Sequence, residues 1–171
     1  LTDPRSGLPA GRLIENRLRE IIREKGWALL DARINNFEPF KDVYGFVAGD
    51  DVLRFTAMLI GEVVDEIGTI SDFIGHAGGD NFIIITQEGK ADAIKARLKE
   101  RFDNEVQTHY NFMDRQQGFV QAPAPDGTTI KVPFMTMSIG IVSPSMQSFA
   151  DIREITELAA EARRQDTAPG G

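Results

Sequence analysis

Between residues 70 and 86 two apolar runs meet at a pair of glycines and an aspartate. Ile70, Phe73 and Ile74 lie on one side, Gly75-His76-Ala77-Gly78-Gly79-Asp80-Asn81 in the centre, and Phe82 to Ile85 on the other. Apolar stretches joined through Gly-Gly-Asp read as a β-hairpin with a tight turn. Two adjacent glycines allow positive φ and let the backbone approach a bulky ligand with no Cβ in the way. Asp80 adds a carboxylate where a phosphate-bound metal could be held. Read locally, the same residues also describe a sharp hairpin with a solvated aspartate, so the remainder of the chain has to decide between the two.

With 171 residues, 42% of them hydrophobic, the chain fills one core and is short for two ordinary domains. It has no cysteine and two histidines, His76 and His109. Thiolate sites, disulfides and histidine-rich metal clusters are thereby excluded, and any metal needs oxygen ligands. A formal net charge of −7 argues against nonspecific nucleic-acid binding, which requires clustered Lys and Arg. No apolar run approaches the ~20 residues of a membrane span, and the amino end carries no signal-like core. These features read as a cytoplasmic segment of a longer protein, without nucleic-acid or membrane contact.

Residues 1–11 form a turn-rich lead-in with Asp3-Pro4, Gly7 and Pro9. Leu13, Ile14, Leu18, Ile21 and Ile22 then recur at helical spacing up to Gly26. Trp27 to Ile34 reads as a buried strand with Asp31, Arg33 and Asn35 on one face. A brief helix or turn over Phe37 to Gly45 precedes a strong helix starting at Gly49-Asp50, with Val52, Leu53, Met58, Leu59, Val63 and Val64 inward. After the hairpin come a helix over Lys90 to Gln107 and two strand-like stretches around Asp126-Gly127. The second of these continues into Phe134 to Val142 and is expected at the centre of the sheet. A last helix over about 149–164 precedes a tail at 166–171 read as disordered. Helix, strand, two helices, hairpin, helix, hairpin, helix describes a single α/β domain: a sandwich with a mixed central sheet flanked by helices. His76 is expected as a partly exposed strand residue. Lys90, Lys95, Lys99 and Arg163-Arg164 are expected as solvated helix faces, and Phe37, Phe40, Tyr44 and Phe46 as packing.

Taken in order, Leu1-Thr2-Asp3-Pro4, Gly7-Leu8-Pro9, Phe37, Lys41-Asp42-Val43-Tyr44-Gly45-Phe46, Gly49-Asp50-Asp51-Val52-Leu53, Gly78-Gly79-Asp80-Asn81-Phe82 and Ser138-Ile139-Gly140 resemble a GGDEF domain. That family is the catalytic module of diguanylate cyclases, which join two GTP molecules into cyclic di-GMP. The resemblance covers nearly the whole chain and implies a nucleotidyl-cyclase or palm-like fold. It also implies two Mg²⁺ ions, held by acidic groups from two places, that neutralise phosphates and activate a ribose hydroxyl. The family's first-strand metal ligand falls on Arg33, whose guanidinium cannot be deprotonated and cannot bind Mg²⁺. The neighbouring backbone carbonyl falls on Ile34. The signature's third residue is retained as Asp80, while its fourth, acidic in the family, is Asn81. Guanine-recognising positions fall on Lys41 and Asp50, and Phe37, Gly78 and Gly79 complete the implied nucleotide-binding set. The product-inhibition pair ahead of the signature keeps only Asp72.

The expectation is therefore a degenerate GGDEF domain, acting as a nucleotide-responsive or protein-binding signalling module in cyclic di-GMP regulation. Mg²⁺ enters only if nucleotide binding is retained. The implied partners are GTP or cyclic di-GMP, an upstream sensor or receiver domain, and a second copy or another protein. The alternative readings are an active diguanylate cyclase and a purely structural dimerisation domain. Asp31, two residues or about 7 Å along the strand from Arg33 and on the same face, is a carboxylate that could replace the lost ligand if it reached the metal. If Arg33 faces the pocket, it either takes over phosphate contact without metal or pairs with Asp80 or Asp31 and closes the site.

Overall fold

The computed structural model describes residues 1–166. Helix α1 (Arg12–Ile21) follows from Ile14, Leu18 and Ile21 three and four apart, all buried, with charged residues between them. The chain reverses at Gly26, at φ 81°, and enters strand β1 (Trp27–Asn35). Helices α2 (Phe37–Tyr44) and α3 (Phe46–Ile67), strands β2 (Phe73–Gly78) and β3 (Asn81–Gln87), and helix α4 (Ala91–Glu105) come next. They are followed by helix α5 (Phe112–Gln117), strands β4 (Val120–Pro123), β5 (Thr129–Val132) and β6 (Thr136–Val142), and helix α6 (Ile152–Asp166).

The main sheet has the order β2-β3-β1-β6, and β4 and β5 form a separate ribbon. Arg33 stands opposite Asn81 on one side and Ser138 on the other. All pairings among the described residues are antiparallel rather than mixed. The crossovers explain this. The β1–α2–α3–β2 connection returns in the direction of β1 but skips one position, and the hairpin folds β3 into the gap. The β3–α4–β6 connection likewise returns parallel to β3 on the far side of β1. Parallel strands therefore never become neighbours.

Alternation along β1 divides the interior. Ala28, Leu30, Ala32 and Ile34 face the layer of α2, α3 and α4, together with Val52, Leu59, Ile60, Val63, Leu98 and Phe102. Trp27 and Leu29 face α1 and α6, together with Leu18, Ile83, Ile85, Ile155 and Ala159. Full burial of each such side chain contributes roughly 1.5–3 kcal/mol. Helix α6 lies against β6 closely enough that a Cβ on Gly140 would fall 2.1 Å from the Arg163 nitrogen.

Several boundaries differ from the sequence expectation. Helix α3 begins at Phe46, so Asp50 and Asp51 lie beyond its first turn, and Met58 points outward at 55% exposure. Ile70 is outside β2 and fully exposed. Pro133, which has no N–H to donate, separates β5 from β6. The latter is an edge strand among the described residues, buried because α4 and α6 cover its two faces. Residues 167–171 of the expected tail lie outside the described residues. No helix among the described residues is long and apolar enough to cross a membrane.

Candidate functional site

The last turn of β1 and the β2–β3 turn meet at one corner of the sheet. Gly78 and Gly79 adopt φ of 123° and 50°, conformations that need glycine at the first and favour it at the second. This brings Asp80 back over β1, where its carbonyl accepts from the Ile34 N–H at 3.3 Å. The Asp80 carboxylate lies 3.5 Å from Arg33 Nε, with side-chain exposures of 23% and 47%. Burial pushes the Asp80 carboxyl above the usual range, and Arg33 and, more weakly, Lys41 oppose this. Arg33 and Asp80, predicted to face one pocket, are thus in contact.

Asn81 turns away from that corner. Its amide donates to Asp31 Oδ1 at 2.6 Å and to the Ala32 carbonyl at 2.9 Å. The same Asp31 oxygen accepts from Arg163 Nη1 at 3.1 Å, and both side chains of the pair are at least nine-tenths buried. Asp31 is therefore committed to a buried ion pair within the α1–α6 layer. To serve as a replacement metal ligand, Asp31 would have to give up this buried ion pair with Arg163. Arg163, expected as a solvated residue, is 6% exposed. It continues the inward stripe Ile155, Ala159 at four-residue spacing, a signal legible in the sequence.

The implied base-recognition positions are arranged differently. Phe37 is buried at the start of α2. Lys41 Nζ lies 4.8 Å over the Phe37 ring and pairs with Glu38 at 2.6 Å. The Lys41 stem covers Gly49, with Cγ 2.6 Å from where a Cβ would stand. The lysine thus fills the groove between α2 and α3 with its own chain. Asp50, half-buried, adds its charge to that of Asp3 on the Arg5 guanidinium. Of the aromatic run, Phe40 stacks on Tyr44 at 4.7 Å, whereas Phe46 is 74% exposed.

Asp72, the remnant of the inhibitory pair, is occupied locally: its carboxylate accepts from Thr69 N, Thr69 Oγ1 and Thr86 Oγ1. It closes the α3–β2 loop. Lys95 and Lys99, expected as solvated, both reach Asp166, which also accepts from the Ile139 N–H. His76 is buried rather than partly exposed, and its ring stacks on Phe82 at 4.4 Å.

A divalent-metal pair does not fit the donor set at this corner. Asp80 is the carboxylate at the turn, a guanidinium stands beside it, and Asn81 and Asp31 are engaged elsewhere. Among the described residues no group of three or more His, Asp or Glu side chains converges to hold a metal. What the corner offers is a half-exposed guanidinium with several donors beyond the one near Asp80, suited to an anionic oxygen.

The family model described as "Diguanylate cyclase, GGDEF domain" matches residues 1–170. The signaling protein YkoW of Bacillus subtilis is 32% identical over 102 residues, covering 56% of this chain and 12% of the relative. Diguanylate cyclase DgcP of Pseudomonas aeruginosa is 34% identical over 104 residues, covering 58% and 15%. The aligned stretch is thus under one sixth of either curated relative. Among solved structures, the GGDEF domain of DgcB from Caulobacter crescentus in complex with c-di-GMP superposes with a TM-score of 0.67. It is 22% identical and is matched over 99% of this chain and 91% of that one. Diguanylate cyclase SiaD of Pseudomonas aeruginosa, in complex with its activator SiaC, gives 0.70 at 19% identity over 99% and 58%. These likenesses establish the fold. With the family model matching residues 1–170 of the chain, and the Gly78-Gly79-Asp80 turn and antiparallel sheet in place, this chain belongs to the GGDEF family.

Proposed function

We propose that this GGDEF domain works in cyclic di-GMP signalling as a non-synthesising module, in the cytoplasm, through a protein partner or an anionic nucleotide ligand. The observation that carries the reading is the Arg33–Asp80 contact at 3.5 Å. Joining two nucleotides at an α-phosphate needs positive metal charge held between carboxylates. Here a fixed side-chain cation stands against the one carboxylate at the turn. Asn81 has no charge to offer and its amide is bonded to Asp31 and the Ala32 carbonyl. Lys41 presents three donors and no acceptor to any base in its groove.

Of the two roles open to Arg33, the closed pair is favoured. Asp80 is largely buried, and a buried carboxylate without metal requires a counter-charge. Ligand binding then competes with Asp80 for the guanidinium. Incubation of the protein with GTP and Mg²⁺, followed by chromatography, is expected to yield no cyclic di-GMP. Product accumulation that disappears in Asp80→Ala would establish the active-cyclase alternative instead. Calorimetric titration of GTP, GDP and cyclic di-GMP, in EDTA and in excess Mg²⁺, separates the roles of Arg33. No heat with any nucleotide fits the closed pair. Equal affinity in both buffers, lost in Arg33→Ala, fits phosphate contact by the guanidinium. Binding only with Mg²⁺ overturns both.

A further inference from the structure

Two segments remote in sequence converge on one imidazole. The side chain of His76, in β2, is fully buried. Nε2 lies 2.7 Å from the carbonyl oxygen of Gly79. A carbonyl only accepts, so Nε2 carries the hydrogen. Nδ1 lies 2.8 Å from Ser6 Oγ and 3.4 Å from Asp3 Oδ2. Ser6 Oγ accepts from the Leu8 N–H at 3.3 Å, which leaves its own hydrogen free to point at Nδ1.

Both sides of this junction are internally fixed. On the entering side, Asp3 N donates to Leu8 O, Gly7 N donates to Asp3 O, and His76 N donates to Pro9 O at 2.8 Å. Arg5 grips both Asp3 oxygens at 3.1 and 2.7 Å and, mainly through these hydrogen bonds, holds that carboxyl at about 2. On the turn side, the peptide that carries the Gly79 carbonyl is the one that leads into Asp80, and the Asp80 carbonyl in turn accepts from Ile34. Asp80 is therefore held at its two flanking carbonyls, one by β1 and one by His76. Its glycine neighbours, at φ 123° and 50°, supply no side-chain restraint of their own.

We infer that His76 is a positioning residue that latches the entering segment, through Ser6, to the Gly78–Gly79 turn, and so sets where the Asp80 carboxylate stands relative to Arg33. The latch makes the conformation of residues 1–10 a determinant of the site corner. It does so whether or not that corner binds a nucleotide. Displacement of the entering segment removes the Nδ1 partner, frees the ring to turn, and releases the Gly79 carbonyl.

The test has two parts, both on the intact chain. In the unaltered protein, imidazole ¹⁵N shifts of His76 are expected to show a hydrogen on Nε2; a neutral ring protonated on Nδ1 would overturn the proposal, since it cannot donate to Gly79. In Ser6→Ala, which touches neither the turn nor the core, amide exchange at Asp80, Asn81 and Ile34 is expected to quicken about five- to tenfold, the size of one lost hydrogen bond. The α4 amides of Ile94 and Leu98 stay unchanged. His76→Phe, which keeps an aromatic ring on Phe82, is expected to give the same local pattern. Unchanged exchange at the turn in Ser6→Ala, or a uniform rise that includes α4, would sink the latch. Neither result depends on nucleotide binding, so the latch and the proposed function fail separately.

Discussion

A carboxylate inside an apolar layer is tolerable only where its charge is met, and Asp31 is met by Arg163 from the last helix and by the Asn81 amide. Removing Arg163 leaves the buried Asp31 charge to the Asn81 amide. Arg163→Met is expected to cost about 3–5 kcal/mol in urea unfolding, while Asp31→Leu with Arg163→Met loses far less than that single change. The pairing also bears on attempts to rebuild a cyclase: Asn81→Glu would set a second carboxylate where Asp31 now accepts a hydrogen bond at 2.6 Å. Asp3 carries a different pH signature. Its folded pKa of about 2 lies below the ordinary 3.8, so its contribution is complete above pH 4 and lost as the pH falls towards 2. That contribution is about 2 kcal/mol. Asp3→Asn is accordingly expected to flatten the acid limb of stability between pH 4 and pH 2, measured as the urea midpoint.

Elements with strong periodicity were legible before any coordinates: the hairpin, α4 through Ile94, Leu98 and Phe102, and α6 through Ile155 and Ala159. Others were hidden by physical compensation. Gly49 looks like a helix boundary yet lies inside α3, because the Lys41 stem occupies the space a side chain would take. Helix α5 has no buried residue to betray it and depends on the Asn111 side chain accepting from Asp114 N. The mostly buried β6 reads as a central strand, but burial on both faces comes from two helices, not from two neighbouring strands. At the site, the exchange of charge at Arg33 and Asn81 was visible in the residues, whereas the inward turn of Asn81 and the latch at His76 depend on partners 50 and 70 residues away. Gly140 tests the packing of α6 directly. Gly140→Ala places a methyl against the Ala159 carbonyl and the Arg163 nitrogen, which are backbone atoms that cannot rotate aside. It is expected to cost about 1–3 kcal/mol by thermal or urea unfolding.

Strand β1 belongs to both apolar layers, so the molecule has no plane along which one layer could melt without the other. Leu29→Ala and Leu30→Ala, which open opposite layers, are each expected to cost about 2–5 kcal/mol and to lower one common unfolding transition. Coincident curves from Trp27 fluorescence, on the α1–α6 side, and from far-ultraviolet dichroism would show it; separated midpoints would not. The placement of Asp31 has a further consequence in time. Its partners Asn81 and Arg163 lie 50 and 132 residues later in the sequence. Until the final helix docks, any compact intermediate that buries β1 carries an uncompensated negative charge at its heart. Such an intermediate is penalised by the cost of burying that charge. The Asp31–Arg163 pair thereby couples favourable burial of the central strand to docking of the last helix described.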